Sequence, residues 1–187
     1  MNVPDLHQRA LDEFGRRVAT IPEDGWSRST PNPEWDVRAL VNHIVDENRW
    51  TPPLLAGSSI EDVGDRFEGD LLGDDPTGAW NDSSKQAARA VHEDGAMERT
   101  VHLSFGDVPG EEYVLQLFAD HLIHAWDLAR AIGADEQLDP ELVAACSEWF
   151  AEREDLYRAA GAIGERPEIA PDAGPQTALL AMYGRQA

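Results

Sequence analysis

At 187 residues, 42% of them hydrophobic and 27% charged, the chain suits one domain with a full core and has neither a fibrous nor a disordered composition. Fifteen basic against 36 acidic residues give a formal net charge of −21, which excludes nucleic acid and anionic membrane as natural partners. No apolar run approaches the roughly 18 residues of a membrane span, the start MNVPDLHQRALDEFGRR lacks the pattern of a secretion signal, and the single cysteine can form no internal disulfide, so a cytoplasmic protein is expected.

Helical periodicity dominates the chain. A first helix is predicted from about Pro4 to Thr20, with Leu6, Leu11, Phe14 and Val18 on or near one face. A loop rich in Pro, Gly and Ser follows. Asp36 then caps a second helix carrying Val37, Leu40, Val41 and Ile44 at helical spacing. Pro52 and Pro53 are expected to end it near Trp50. Residues 56–75 hold five Asp, two Glu and four Gly and read as an irregular acidic loop; their spacing does not match a calcium-binding EF-hand. Asp75 and Pro76 open a third helix that runs to about Glu93.

Val101, Leu103 and Phe105 alternate in RTVHLSF, which predicts a short strand with those three on one side, and GDVPG reads as a turn. The fourth predicted helix, Glu111 to Ile132, is about 33 Å long at 1.5 Å per residue and ends at Gly133. It is apolar on more than one side and is expected to be central. A fifth helix is predicted from Asp139 to about Ala160, and TALLAMYGR closes the chain as a short amphipathic piece. Cys146, among Val143, Ala144, Ala145 and Trp149, reads as a small buried residue. Four long helices, one extended segment and a short terminal helix predict an all-α bundle occupying residues 1–187 as a single domain.

The chemistry concentrates in DHLIHAWDLARA, residues 120–131. Asp120 and His124 are four apart, so both point the same way. Tyr113, Leu117, Leu128 and Ala131 share that face, which places a carboxylate and an imidazole inside an apolar stripe. Left unpaired there, they would cost several kcal/mol, roughly. They could bond to each other, pair with a neighbouring helix, or grip a divalent metal. His121 lies off that face and can only flank the pair, whereas Asp127 stays close to the stripe. In the second helix, RALVNHIVDENRW offers His43 at the edge of the apolar face, with Glu47 one turn further on the same side. His7, His92 and His102 read as surface residues.

WDVRALVNHIVDENRW, then FADHLIHAWDLARAIG, then the terminal TALLAMYGR together resemble the actinobacterial mycothiol-dependent maleylpyruvate isomerase N-terminal domain, within the DinB-like superfamily. The resemblance extends over most of the chain. It implies an up-down-down-up four-helix bundle with a divalent metal at one end, typically zinc, with nickel or another ion as alternatives. Matched position by position, it assigns His43, Asp120 and His124 as metal ligands. Asp120 stands where the family has Glu, one methylene longer. Nothing beyond about residue 161 is long enough to be the isomerase's C-terminal domain, which argues against maleylpyruvate isomerisation itself.

The resemblance implies a mycothiol-dependent transferase or isomerase acting on a small electrophile, with homodimer formation as the family habit. His121, Glu47 and Asp127 are then candidates for orienting ligands or moving protons. Trp50 and Trp126 are candidates for the pocket wall. Two alternatives stand beside this: a hydrolase using metal-activated water with Glu47 as base, and a non-catalytic metal-binding or dimerisation module.

Overall fold

The computed structural model describes residues 1–187, and helices dominate it, as predicted. They divide into two compact units, Met1–Ala134 and Asp135–Ala187. In the first, α1 (Val3–Val18) begins at Asn2, whose side chain accepts from the Asp5 N–H. Next, α2 (Val37–Leu55) is capped by Asp36, which accepts from Ala39 N at 2.8 Å. The prolines do not stop α2 at Trp50. It continues through Pro52 and Pro53 because proline's fixed φ is itself helical and because the extra turn buries Leu54 and Leu55. Each such leucine contributes roughly 1.5–3 kcal/mol.

The acidic stretch is less irregular than its composition suggests. It contains α3 (Ile60–Val63), opened by a reciprocal cap between Ser59 and Asp62. Val63 and Leu72 are buried, and Asn42 of α2 clamps the loop: its amide donates to Gly69 O and its carbonyl accepts from Leu71 N. Arg38 adds an ion pair with Asp70 at 2.8 Å. Then α4 (Pro76–Val91) begins at Asp75.

The predicted strand is β1 (Thr100–Leu103), and it pairs antiparallel with β2 (Gly106–Pro109), so GDVPG supplies a partner strand rather than only a turn. The turn is Ser104–Phe105. Phe105 sits at its tip, 70% exposed, because the reversal of the chain ends the alternation that places Val101 inside.

The central helix is α5 (Gly110–Ile132), ended by Gly133 in the left-handed region that glycine favours. Its first residue must also be glycine: a Cβ on Gly110 would lie 2.0 Å from the Ala96 carbonyl oxygen. The main packing pairs are α1 with α5 and α2 with α4, with α1 on α4 and α2 on α5 closing the ring. Thus α1 and α2 are diagonal, and the 18-residue connection between them crosses the bundle. This is the all-α bundle that the periodicity predicted, in the DinB-like four-helix form that the resemblance implied.

In the second unit, the predicted fifth helix is two pieces, α6 (Pro140–Phe150) and α7 (Glu154–Ala159), with a tight turn at 151–153. The turn brings Tyr157 edge-on to Phe150, on which the Tyr183 ring also stacks, 3.9 Å away. That tyrosine follows α8 (Pro175–Met182), the expected short terminal helix, which packs on α6. Cys146 is buried, with its sulfur 3.7 Å from the Tyr183 hydroxyl, and burial pushes its thiol up to about 12. It is an inert core residue.

Candidate metal centre

The face of α5 that carries Asp120 and His124 meets α2 at His43. Asp120 reaches both imidazoles at once: Oδ2 lies 3.1 Å from His43 Nε2 and Oδ1 lies 3.4 Å from His124 Nε2. One donor atom from each of the three residues falls within 4.8 Å of the others. A tetrahedral zinc with ligands at 2.0–2.2 Å holds neighbouring donors about 3.3 Å apart, and each carboxylate oxygen lies near that distance from one of the two imidazole nitrogens. Two imidazole nitrogens and one carboxylate oxygen are also a donor set that suits zinc. The residues therefore fit a divalent metal, and the short aspartate side chain spans the gap between the histidines.

Charge in the trio is tightly shared. Burial pushes the Asp120 carboxyl up, but the two imidazoles more than offset it and hold it well below the usual carboxylate range. Burial likewise disfavours charge on His124, yet Asp120 and then Asp127 raise it to about 9. His43 is raised as well, with Asp120 outweighing burial.

Asp127 is almost wholly buried, one turn beyond His124, and its Oδ2 accepts from His124 Nδ1 at 2.9 Å. This fixes the ring so that Nε2 faces Asp120. A carboxylate behind a histidine is how metal-binding imidazoles are commonly oriented. Glu47 lies one turn along α2 from His43 and is half-buried. Burial, with Asp120's charge behind it and His43 opposing, raises its carboxyl to about 7.

The structure places His121 apart from this group. It is fully buried, its Nδ1 against the Leu117 carbonyl and its Nε2 3.0 Å from Asn48 Oδ1. Burial pushes it down to about 4, so the ring is neutral with one N–H. Its two nitrogens face two acceptors, the Leu117 carbonyl and Asn48 Oδ1, so the single N–H bonds to one of these core oxygens.

Two ring positions escaped the sequence reading. His7 is not on the surface: it is fully buried, its ring edge-on to His121 at 5.4 Å, and neither ring nitrogen has a hydrogen-bond partner. The signal was present, since His7, Ala10, Leu11 and Phe14 share one helical face. Trp35, just before the α2 cap, lies over both His43 and His124, at centroid distances of 4.8 and 5.6 Å. No periodicity marks a loop residue of that kind. His92 is exposed, as expected, and half-exposed His102 pairs with Asp107 across the hairpin. Trp126 is core, with Arg130 over its ring at 5.1 Å, whereas Trp50 is half-buried and donates to Asp46.

No helix is long and apolar enough to cross a membrane. No solved structure matches the chain. Two curated relatives, both described as uncharacterized proteins and coming from two strains of Mycobacterium tuberculosis, are each 37% identical over 145 residues, covering 73% of this chain and 70% of theirs. The family model described as the mycothiol maleylpyruvate isomerase N-terminal domain matches residues 7–129, the span that contains α2 and α4 whole, most of α1 and α5, and the trio. This chain belongs to the mycothiol maleylpyruvate isomerase N-terminal domain family.

Proposed function

We propose that the protein binds a divalent metal, zinc in the first instance, through His43, Asp120 and His124, and that it is a thiol-dependent transferase or isomerase acting on a small electrophile. The low-molecular-weight thiol is mycothiol, on the strength of the family. The observation that carries the reading is the convergence of three donor atoms from two helices within 4.8 Å, with Asp127 orienting one of them.

When bound, zinc lowers the pKa of a thiol at its open position and so favours the nucleophilic thiolate. The chain's own residues do the rest. Asp127 holds the Nδ1 proton of His124 and keeps Nε2 turned inward. Asp120 draws the two imidazoles together. Glu47, titrating near neutrality, is matched to take a proton from a thiol S–H or return one to a product. Trp35 covers the two imidazoles and excludes water from that side. His121 supports the helix from within the core and takes no part in proton transfer, because its ring is enclosed there between the Leu117 carbonyl and Asn48 Oδ1.

The Glu47 carboxyl equally suits a base that activates water, so a hydrolase of amides or esters is the second reading. Both are tested together. Protein purified without chelator or affinity tag is analysed for metal, then assayed with mycothiol and an electrophile and, separately, with ester and amide substrates. Thiol transfer that disappears in His124→Ala supports the first reading. Metal below about 0.2 equivalents with no rebinding would refute both, because three-ligand zinc sites of this type do not function empty. A bound metal without either activity would leave a metal-stabilised binding module. Homodimer formation, the remaining family habit, is read from the solution mass of the same sample.

A further inference from the structure

A cleft of about 770 Å³ opens beside His43. It shares a wall with the trio, because Trp35 lines the cleft and lies over His43 and His124. Two further aromatic rings line it, Trp50 from α2 and Phe67 from the acidic loop, meeting edge to face at 5.8 Å. The carboxylates of the lining are Asp46 and Glu68, the His43 imidazole is its one basic group, and no lysine or arginine lines it. Asp46 accepts from Trp50 Nε1 at 3.0 Å, which fixes carboxylate and ring together, and burial raises its carboxyl above the usual range. Arg38 and Arg49 of α2 are engaged elsewhere, with Asp70 and the Leu71 carbonyl, and Arg66, itself outside the lining, lies 5.8 Å over the Phe67 ring, a cation already held by one of the cleft's aromatic rings.

Aromatic faces are negative, and so are both carboxylates. A cation among them gains from ring and acid alike, whereas a dianion meets two carboxylates with only the His43 imidazole, already paired with Asp120, to offset them. The chain's −21 charge adds a long-range field of the same sign. We infer that this cleft binds the cationic amine of a small ligand, and that the co-substrate presented to the trio is amine-bearing rather than a dicarboxylate. The second half of that statement rests on the function proposed above; the first does not.

The test uses the full chain with three probes: choline, its neutral isostere 3,3-dimethylbutan-1-ol, and maleate. Binding is followed through tryptophan fluorescence and the indole N–H signals. Choline is expected to shift the Trp50 signal, the neutral isostere to bind about tenfold more weakly, and maleate to cause no shift. The double variant Asp46→Asn, Glu68→Gln preserves shape and is expected to weaken choline about tenfold, with an unchanged circular dichroism spectrum as the control for folding. Equal binding of choline and its isostere, no shift of Trp50 with choline, or unchanged choline affinity in the double variant overturns the inference. Zinc titration of the same sample separates the two readings. Choline binding without zinc binding upholds the cleft and refutes the metal function; zinc binding without choline selectivity refutes the cleft alone.

Discussion

Zinc affinity at His43, Asp120 and His124 is predicted to rise steeply with pH, and the charge network fixes the size of the effect. A metal needs the His124 Nε2 lone pair. Burial opposes charge on that ring, but Asp120 and Asp127 raise it to about 9, so near neutrality a proton occupies the place of the ion. Displacing it two pH units below its pKa costs about 2.7 kcal/mol, or roughly 100-fold in Kd. His43, also raised by Asp120 against burial, adds a second proton below its own pKa. Affinity should therefore tighten about tenfold or more per pH unit between about pH 6.5 and 8.5, with at least one proton released per zinc. Competition with a chromophoric chelator gives the affinity, and calorimetry in two buffers of different ionisation heat gives the proton count. Asp127→Asn should flatten the slope, because one source of the raised His124 pKa is gone. It should also weaken binding about 10- to 100-fold at the alkaline end, because the ring loses its orientation. A change below about threefold across the range, or zinc binding with no proton released, would refute the shared-charge description of the trio.

His121→Ala should leave zinc affinity within about threefold while lowering stability by about 1–3 kcal/mol, because it removes buried hydrogen bonds; His124→Ala should abolish zinc binding. Equal zinc loss in both variants would mean that His121 belongs to the site. His7→Leu should stabilise the protein by about 1–2 kcal/mol near pH 7.5, since it replaces an unpartnered buried imidazole. Burial holds His7 well below its ordinary 6.5, so the native state binds fewer protons than the unfolded one, and stability falls as pH drops below 6.5. Urea unfolding at several pH values should show that acid slope reduced in His7→Leu, and a variant less stable than the parent at every pH would contradict this. Gly110→Ala should lower the unfolding midpoint by the equivalent of at least about 2 kcal/mol, because its Cβ meets the Ala96 backbone rather than a side chain that can yield. Cys146 should resist thiol reagents in the native protein and react fully on unfolding, and stoichiometric labelling of folded protein would show that the core description is wrong.

Legibility of the sequence differed from residue to residue for physical reasons. Asp36, Asp75 and Gly133 mark helix ends because caps and left-handed stops are local chemistry, and the structure places them there. The prolines misled because their effect on α2 depends on Leu54 and Leu55, whose burial is decided by other parts of the chain. GDVPG hid a strand because a strand edge is defined by its partner. His7 was assigned to the surface although its helical face contains Leu11 and Phe14: a polar side chain on an apolar face is ambiguous until the neighbouring helix is known.

At the site the division is similar. Helical spacing by itself determined that Asp120 and His124 face one way, that His121 does not join them, and that Asp127 stays near, because 3.6 residues per turn fixes direction along one helix. The resemblance brought His43 to the pair. Only the tertiary structure decided that Asp120 touches both imidazoles with separate oxygens, that Asp127 holds His124, and that Trp35 joins the trio to an aromatic, acidic cleft. Those contacts join segments far apart in sequence, and their distances and shared charges exist only once α2, α5 and the loops pack against one another.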